Sequence, residues 1–255
     1  MYLIIDIGNT NIVFAIIKEG IVKEKWRVST DINRTSDEYF SWLSTILQNK
    51  INLNSVVVGS VVPEVTEEIK RACKNYFNCN VFIVNEDIEM TFPTSVESFK
   101  EVGTDRLVNS LAAWDSYKEP CIIIDFGTAT TFDIVDKLGN YIGGLICPGI
   151  NLSLKTLHTA AARLPRIAVA TPKQIIGKTT VDAMTSGIYF GYIGLIKYII
   201  ELITLELGYE TKVILTGGLA NLFSEKIGIK NIIRKNLTIE GLYLAMKFFE
   251  KKDEK

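Results

Sequence analysis

The sequence predicts an α/β fold that contains the same unit twice, with mixed β-sheets flanked by helices in each unit. The residues IIDIG at positions 4–8 recur as IIDFG at positions 123–127, inside apolar runs that match in register. Strand patterns follow both copies and come before helical patterns in both halves. A length of 255 residues suits one large domain or two small ones, and the repeat favours two. We therefore expect domains at 1–115 and 116–255, each beginning with an Asp-turn-Gly hairpin, and a cleft between the hairpins.

The first half begins with three strand patterns that glycine and lysine separate, as in an antiparallel meander. A helix follows, because Tyr39, Leu43 and Leu47 recur at a 3.6-residue period. The stretch SVVVGSVV is a continuous apolar strand, typical of burial on both faces. Pro63 suits the first turn of the next helix. The strand patterns lie at 2–6, 11–17, 21–29, 55–62 and 81–85, and the helical patterns lie at 36–49, after Pro63 and at 102–117.

The second half repeats this order from Cys121, where three strand patterns precede two helices. The segment KVILTGGLANLF, residues 212–223, is typical of a strand, a glycine turn and a helix. A last helix runs to about Phe249, and a charged tail follows it. The strand patterns lie at 121–125, 130–136 and 141–147, and the long helical patterns lie at 151–163 and 180–207.

Composition excludes several classes of protein. The chain has 28 Lys and Arg against 29 Asp and Glu, a net charge of −1, so no basic field favours nucleic acid or an anionic membrane. The longest uncharged apolar stretch, residues 183–196, is too short to cross a bilayer and contains three glycines. Asp6 interrupts the apolar N-terminal run, which argues against a signal peptide. We therefore expect a cytoplasmic protein that binds neither nucleic acid nor membrane.

The cysteines and the single histidine carry no catalytic or metal-binding pattern. Cys73, Cys79, Cys121 and Cys147 have no C-x-x-C spacing, so we expect reduced thiols rather than a metal site or disulfides. His158 lies in a helical stretch, where a surface or packing role is expected. With one histidine, neither a Ser-His-Asp hydrolase nor a histidine-rich zinc site is supported.

Each Asp-turn-Gly hairpin has the residue types of a phosphate site. A glycine two residues after the aspartate permits a tight turn and close approach of a ligand to the backbone. Hydroxyl and amide side chains and exposed N–H groups can donate to phosphate oxygens. The aspartates repel phosphate, so Asp6 and Asp125 are expected to hold Mg²⁺, its waters or another cation. A single motif of this kind is equally typical of an ordinary hairpin, whereas two in the same register favour the phosphate site.

TGGLA, residues 216–220, is the third motif. A strand end followed by Gly-Gly and a helix N-terminus lets a flat ring lie on the backbone, although a plain strand-to-helix turn has the same pattern. Neither G-x-x-x-x-G-K-[ST] nor G-x-G-x-x-G occurs, which disfavours Walker-type and Rossmann-type sites.

Six motifs occur in the order DIGNTN, GTDR, DFGTATTFD, GGLICPG, GKTT and TGGLA. Two phosphate hairpins and a C-terminal Gly-Gly turn resemble the superfamily of acetate and sugar kinases, heat-shock chaperones and actin, whose domains are ribonuclease-H-like. Within it, the motifs resemble the type III pantothenate kinase family over nearly the whole chain. The resemblance implies ATP-dependent phosphorylation of pantothenate to 4'-phosphopantothenate, the first step of coenzyme A biosynthesis. The alternatives are a kinase for another small hydroxylated acid and a non-catalytic, ATP-binding transcriptional accessory protein of the same fold.

The resemblance also implies roles for matching residues. Asp105 would accept the proton of the attacking hydroxyl, which a positioned carboxylate can do. Arg106 would pair with the pantothenate carboxylate through its fork of donors, although both residues also suit a helix start and a surface position. The implied ATP contacts are Asp6, Ile7, Gly8, Asn9, Thr10, Asn11, Ile12, Val13, Thr128, Gly217 and Gly218, and the implied substrate contacts are Gly103, Thr104, Asp105, Arg106 and Thr180.

The resemblance further implies two kinds of cation and a partner. Asp125 matches the ligand of a monovalent cation, K⁺ or NH₄⁺, and Asp6 is a candidate for Mg²⁺, or another divalent ion, through water. The family is dimeric with substrate near the subunit interface, which implies a homodimer. Gly187, Gly191 and Gly194 lie on one helix face, which suits either close helix packing or that dimer interface.

Two positions leave their role open. Thr180 matches a substrate-contacting threonine and also suits the N-cap of a helix, and the two roles are compatible. Some members of the family carry a substrate-contacting tyrosine shortly before the GTDR motif. The corresponding residues 95–102 contain no tyrosine and a single aromatic, Phe99, so that contact is unassigned.

Overall fold

The computed structural model describes residues 1–253 except 48–52, 78, 91–92, 95, 97, 99–100 and 162. Contacts divide the chain into two compact units, one of Met1–Asp115 with Asn236–Lys255 and the other of Ser116–Lys235. The strands are β1 (Tyr2–Ile7), β2 (Asn11–Lys18), β3 (Ile21–Ser29), β4 (Ser55–Ser60), β5 (Asn80–Ile83), β6 (Cys121–Phe126), β7 (Ala129–Val135), β8 (Tyr141–Pro148), β9 (Lys212–Gly217) and β10 (Asn231–Ile233). The helices are α1 (Ser36–Leu47), α2 (Pro63–Phe77), α3 (Thr104–Tyr117), α4 (Ile150–Ala160), α5 (Thr180–Leu207), α6 (Ala220–Phe223) and α7 (Leu237–Asp253).

The sheet of the first unit has the strand order β3-β2-β1-β4-β5. β1 pairs antiparallel with β2 and parallel with β4, and β2 pairs antiparallel with β3, so the predicted meander is present. Alternate residues of a strand point to opposite faces. One face buries Leu3 and Phe14 in a core with Tyr39 of α1 and Ile69 of α2. Helix α2 begins at Pro63, as predicted.

The sheet of the second unit repeats this topology in the order β10-β9-β6-β7-β8. β6 pairs antiparallel with β7 and parallel with β9, as β1 does with β2 and β4. The register shifts at the corresponding point of both sheets, between Ile16 and Ile17 and between Ile134 and Val135. The shared strand order, strand directions and register shift confirm the predicted duplication.

Helix α7 belongs to the first unit, whereas the predicted second domain, 116–255, includes it. That prediction followed the order of the chain alone. The helix packs on β1 and β4 of the first unit. A Cβ at Gly59 of β4 would be 2.5 Å from Cδ2 of Leu242, and a Cβ at Gly241 would overlap the carbonyl group of Val108 in α3. The two glycines therefore let α7 approach both the sheet and α3 closely, which ties the chain end to the first unit.

Helix α5 exposes much of its apolar surface. It has 28 residues and is long and apolar enough to cross a membrane by length and composition, although residues 183–196 alone were judged too short. One such helix is weak evidence for a membrane protein, and 22% of its most apolar window is buried. An added Cβ at Gly187, Gly191 or Gly194 would meet no atom within 4 Å. Within the part of the chain that the structure describes, close helix packing therefore does not explain the glycine row.

Candidate functional site

The first hairpin joins β1 to β2 through Gly8, Asn9 and Thr10. The Gly8 N–H donates to the Asn11 carbonyl at 3.0 Å, which closes the turn. Thr30, directly after β3, donates its hydroxyl to the Gly8 carbonyl at 2.6 Å and its N–H to the Thr10 carbonyl at 3.0 Å. Both carbonyls are thereby tied to the end of β3, while the side chains of Asn9 and Thr10 are exposed. No sequence motif marks Thr30, which lies 22 residues from Gly8 along the chain.

Asp6 ends β1 beside this hairpin. It is half-buried and lies between Val13 of β2 and Gly59 of β4 in the sheet. The side chains of Ile7 and Ile12, two of the implied ATP contacts, are buried in the core at 1% and 0% exposure. Any contact of these two residues with a ligand is therefore made by the backbone. The accessible side chains here are those of Asp6, Asn9 and Thr10, and those of Asn11 and Val13 are partly exposed.

The second hairpin joins β6 to β7 through Gly127 and Thr128 and is one residue shorter than the first. The Gly127 N–H donates to the Ala129 carbonyl at 3.0 Å, which corresponds to the bond at Gly8. Gly149, directly after β8, lies against this turn, and a Cβ at Gly149 would overlap the Thr128 carbonyl oxygen. Only glycine fits here without moving the turn.

The Gly-Gly turn after β9 approaches the same hairpin. Gly217 has a φ of +86°, and a Cβ there would be 2.5 Å from Oδ1 of Asp125. The Gly218 N–H donates to the Phe126 carbonyl at 3.2 Å. Asp125 is half-buried at the end of β6 and is paired with Thr131 of β7. Three motifs that are far apart in the sequence, DFGTATTFD, GGLICPG and TGGLA, therefore meet at one hairpin.

The GTDR motif forms the start of helix α3, which begins at Thr104. Oδ1 of Asp105 accepts the Arg106 N–H at 2.9 Å, and a Cβ at Gly103 would be 2.6 Å from that oxygen, so glycine leaves room for the carboxylate. Nδ2 of Asn85 donates to the buried Thr104 hydroxyl at 3.0 Å. Asn85 has a φ of +73°, a left-handed conformation that Asn tolerates better than most residues. The structure thus adds Asn85 as the residue that holds the start of α3. In the sequence, this residue begins the turn signal N-E-D at 85–87.

Thr180 is the first residue of α5 rather than its cap. The Thr179 side chain accepts the Asp182 N–H at 3.1 Å and caps the helix. A Cβ at Gly177 would overlap the backbone of Ala183, so the segment before α5 lies close against its first turn. Thr180 itself is exposed, and its hydroxyl is not used by the cap. Phe99, the aromatic of the segment before GTDR, lies outside the described residues.

Asp6 and Asp125 each suit a cation that a bound anion and water also ligate, rather than a metal site made wholly of protein side chains. Among the residues that the structure describes, no group of three or more His, Cys, Asp or Glu side chains is placed to hold a metal ion. Asp6 and Asp125 are single carboxylates at separate strand ends. One carboxylate with phosphate oxygens and water is a usual environment for Mg²⁺ in nucleotide sites. The donor set therefore fits cations that are held partly by a bound anion.

The structure shows the surroundings of the thiols and of the single histidine. The four cysteines are free thiols. Burial raises the pKa of the Cys147 thiol and raises that of Cys121 to about 12, so both thiols are protonated at neutral pH. His158 is exposed, and its Nδ1 lies 2.7 Å from the Leu164 carbonyl oxygen in a local contact at the end of α4.

Comparison with known proteins gives one family. The model of the type III pantothenate kinase family matches residues 2–202. A type III pantothenate kinase of Paramagnetospirillum magneticum is 47% identical over 247 residues, which cover 95% of each chain. The enzyme of the same name from Rhodospirillum rubrum is 45% identical over 249 residues, which cover 96% of this chain and 97% of that protein.

Solved structures show the same fold at lower identity. A Campylobacter jejuni protein described as a Baf family transcriptional activator has a TM-score of 0.60 at 22% identity and covers 98% of this chain and 99% of its own. A ROK family glucokinase of Streptomyces griseus, solved with glucose and AMPPNP, has a TM-score of 0.51 at 14% identity and covers 96% and 99%. These likenesses support the predicted fold of two similar domains with mixed sheets flanked by helices and, at such identities, nothing finer.

Proposed function

The chain belongs to the type III pantothenate kinase family, and on this premise we propose that it transfers the γ-phosphoryl group of ATP to pantothenate. The product is 4'-phosphopantothenate, and the step is the first of coenzyme A biosynthesis. The observation that carries the proposal is the similarity to named pantothenate kinases over at least 95% of the chain. This similarity favours pantothenate over another hydroxylated acid. A kinase is favoured over a non-catalytic accessory protein because Asp105 and both hairpins are present.

In this proposal the two hairpins and the Gly-Gly turn bind ATP. The N–H groups and side chains of Asn9, Thr10 and Thr128 donate to phosphate oxygens, and Gly217 and Gly218 support the adenosine ring. Asp6 would hold Mg²⁺ or another divalent ion through water, and the ion would offset the phosphate charge. The predicted nucleotide cleft between the two hairpins belongs to this proposal.

Asp105 acts as the general base. The pantothenate hydroxyl oxygen attacks the γ-phosphorus, the bond from that phosphorus to the β,γ-bridging oxygen breaks, and ADP leaves. The hydroxyl proton passes to the Asp105 carboxylate, which Gly103 leaves unobstructed and the Arg106 N–H orients. The Arg106 guanidinium pairs with the substrate carboxylate. Positioning and charge neutralisation supply most of the rate.

Substitution of Asp105 by Asn tests the proposal. ADP release is measured with ATP and pantothenate, together with the thermal midpoint of each protein. Asp105→Asn is nearly isosteric and cannot accept the proton, so we expect kcat to fall by about 10²–10⁴-fold with an unchanged midpoint. Asp115→Asn, in the last turn of the same helix, is the control and should keep its turnover. Turnover of Asp105→Asn close to that of the unmodified protein would remove Asp105 from this role, and pantothenate-independent ADP release would contradict the substrate.

We also propose that Asp125 holds K⁺ or NH₄⁺ beside the phosphates. Its half-buried carboxylate, with the Thr131 hydroxyl as its neighbour in the sheet, offers the hard oxygen ligands that such ions take. A monovalent ion offsets phosphate charge without strict octahedral geometry. Rates in KCl and NaCl at constant ionic strength test this, because screening is then equal. We expect K⁺ to be required and Asp125→Ala to weaken the response, whereas equal rates in both salts would exclude a specific site.

A homodimer in the cytoplasm completes the proposal, with Thr180 donated across the interface. The exposed side of α5 is unusually apolar for a surface that faces water, which supports a partner there. Its exposed apolar residues are Val181, Phe190, Tyr198, Leu202 and Leu205. The glycine row on the same helix leaves space for close approach of a second helix.

Mixed dimers test the shared pocket. Asp105→Asn and Thr180→Arg proteins, each inactive and folded alone, are mixed under subunit exchange. If the pocket is shared, one site of each mixed dimer carries both changes and the other carries neither, so about half of the activity returns. If each pocket belongs to one chain, no activity returns, and a monomer by light scattering would contradict the dimer directly.

A further inference from the structure

A buried carboxylate lies two residues beyond the strand partner of Asp125. Asp133 of β7 is 0% exposed. Its Oδ1 accepts the Tyr141 hydroxyl at 2.8 Å, and its Oδ2 accepts the Thr131 hydroxyl at 3.3 Å. A carboxylate is costly to bury unless hydrogen bonds replace its water. Neither the family resemblance nor the proposed chemistry gives this group a role.

The duplicated fold provides a direct comparison for Asp133. Asp133 faces Ile123 in the second sheet, and the residue that faces the equivalent Ile4 in the first sheet is Ala15. Ala15 is also 0% exposed. The fold therefore accommodates an apolar residue at this position, and the carboxylate of the second half is not a requirement of the architecture.

The neighbours of Asp133 differ between the halves in the same way. Thr131 faces Asp125, whereas Val13 faces Asp6. Tyr141 faces Val135, whereas Val22 faces Ile17. Three polar side chains in the second half thus stand where the first half has Val13, Ala15 and Val22.

The hydrogen bond to Asp133 determines what the Thr131 hydroxyl can do. The Thr131 hydroxyl donates to Oδ2 of Asp133, so its proton points to that carboxyl group. The remaining lone pairs of the hydroxyl oxygen can then only accept a hydrogen bond or bind a cation. Paired residues of neighbouring strands have their Cβ atoms about 5 Å apart on one face of the sheet. Thr131 and Asp125 are such a pair, and both are half-buried.

We propose that Asp133 is a positioning residue, and that it makes the Thr131 hydroxyl a second oxygen ligand, beside Asp125, for the monovalent cation. Tyr141 holds the Asp133 carboxylate, which directs the Thr131 proton away from the ion. The first half, with valine and alanine at these positions, has no such pair beside Asp6. The inference rests on the cation site proposed at Asp125.

Asp133→Asn is the informative change, because it keeps the shape and reverses one hydrogen bond. The Asn carbonyl can still accept from Tyr141, while its amide donates to the Thr131 oxygen. The Thr131 proton then points towards the cation position. Thr131→Val removes the ligand and introduces the residue that the first half uses. Tyr189→Phe is the matched control, because the Tyr189 hydroxyl is buried in the same unit and has no hydrogen-bond partner among the described residues.

The measurement is the difference between the thermal midpoints in KCl and in NaCl at equal ionic strength. Its dependence on the K⁺ concentration gives the half-saturating K⁺ concentration. Binding to the folded state raises the midpoint, so this reports the cation without turnover. We expect the half-saturating K⁺ concentration to be about 10-fold higher for Asp133→Asn and Thr131→Val, the usual effect of losing a group that orients a ligand. Tyr189→Phe should keep the value of the unmodified protein.

The outcomes separate the inference from the proposal beneath it. A midpoint of Asp133→Asn that falls equally in both salts, with unchanged half-saturation, would show a structural role only and overturn the inference. No difference between KCl and NaCl in the unmodified protein would overturn the cation site at Asp125 and the inference with it. The pantothenate kinase activity would still be decided by ADP release.

Discussion

Thr30 and Gly149 occupy the same position in the two halves, directly after the third strand of each sheet. The pairing of Ser29 with Asn11 in the first sheet corresponds to that of Pro148 with Ala129 in the second. Thr30 donates hydrogen bonds to its hairpin from its hydroxyl and its N–H. Gly149 instead packs so close to its turn that no Cβ would fit. One duplicated framework therefore holds its two turns by different physical means.

The two turns also differ in length. The first hairpin has a three-residue turn, and the Thr30 side chain reaches its Gly8 carbonyl. The second hairpin has a two-residue turn, and an added Cβ at Gly149 would overlap its Thr128 carbonyl oxygen. A hydrogen-bonded turn can be weakened gradually by substitution, whereas a turn in steric contact tolerates no added atom. The comparison thus predicts unequal responses to small changes.

Gly149→Ala should have the largest effect. The added methyl group would overlap the Thr128 carbonyl oxygen, and we expect a loss of about 3 kcal/mol or more in unfolding free energy. Gly8→Ala would place its methyl carbon 3.2 Å from the Asn11 carbonyl oxygen, for which about 1 kcal/mol is expected. Urea unfolding of both variants measures the difference. Equal losses would contradict the steric account of the second turn.

Thr30→Val should have an intermediate effect, and on ligand binding more than on stability. The change keeps the shape and the backbone bond to Thr10 but removes the 2.6 Å bond to the Gly8 carbonyl. A lost hydrogen bond of this kind corresponds to about 1 kcal/mol, so we expect KM for ATP to rise by roughly 5-fold. Thr30→Ser keeps the hydroxyl and should restore KM. If Val and Ser give the same KM, the hydroxyl does not shape the first turn.

The smallest change in stability is expected at the turns between β2 and β3 and between β7 and β8, which also differ between the halves. The first half uses Glu19 and Gly20, both at positive φ, between β2 and β3. The second half uses the Asp136 carboxylate, which accepts the N–H groups of Leu138 and Asn140 at 2.8 Å each. Burial alone would raise the pKa of Asp136, but the hydrogen bonds from Asn140, Leu138 and Gly139 together lower it from its usual 3.8.

Asp136→Asn should therefore cost about 1 kcal/mol or less, and only while the native carboxyl is ionised. A lowered pKa contributes stability that is present above 3.8 and lost as the pH falls through the folded value. Urea midpoints of both proteins should differ at pH 7 and converge as the pH falls below the ordinary value. A difference that is constant between pH 7 and pH 3 would show that the charge of Asp136 is not involved.

The sequence was sufficient for the strands of both hairpins, because they are apolar runs interrupted by Asp and Gly and the pattern occurs twice. It was insufficient for β10, whose three residues Asn231–Ile233 are too few to show any period. It suggested Thr180 as a helix cap, yet Thr179 does this, since two adjacent threonines suit the position equally well before the backbone is known. Patterns along the chain also give no sign of pairs such as Asn85 and Thr104, which only the folded chain brings together.

The packing of α7 on β1 and β4 has a consequence for synthesis on the ribosome. The first unit is translated first, but the helix that covers this face of its sheet is made only after residues 116–235. Ile4 and Val57 lie side by side on the face that carries Gly59, and both are fully buried in the finished protein. Residues 116–235 must be made in between, which takes on the order of 10 s. During that interval the nascent N-terminal sheet lacks α7 on this face, so the first unit completes its fold only after residues 237–253 have emerged.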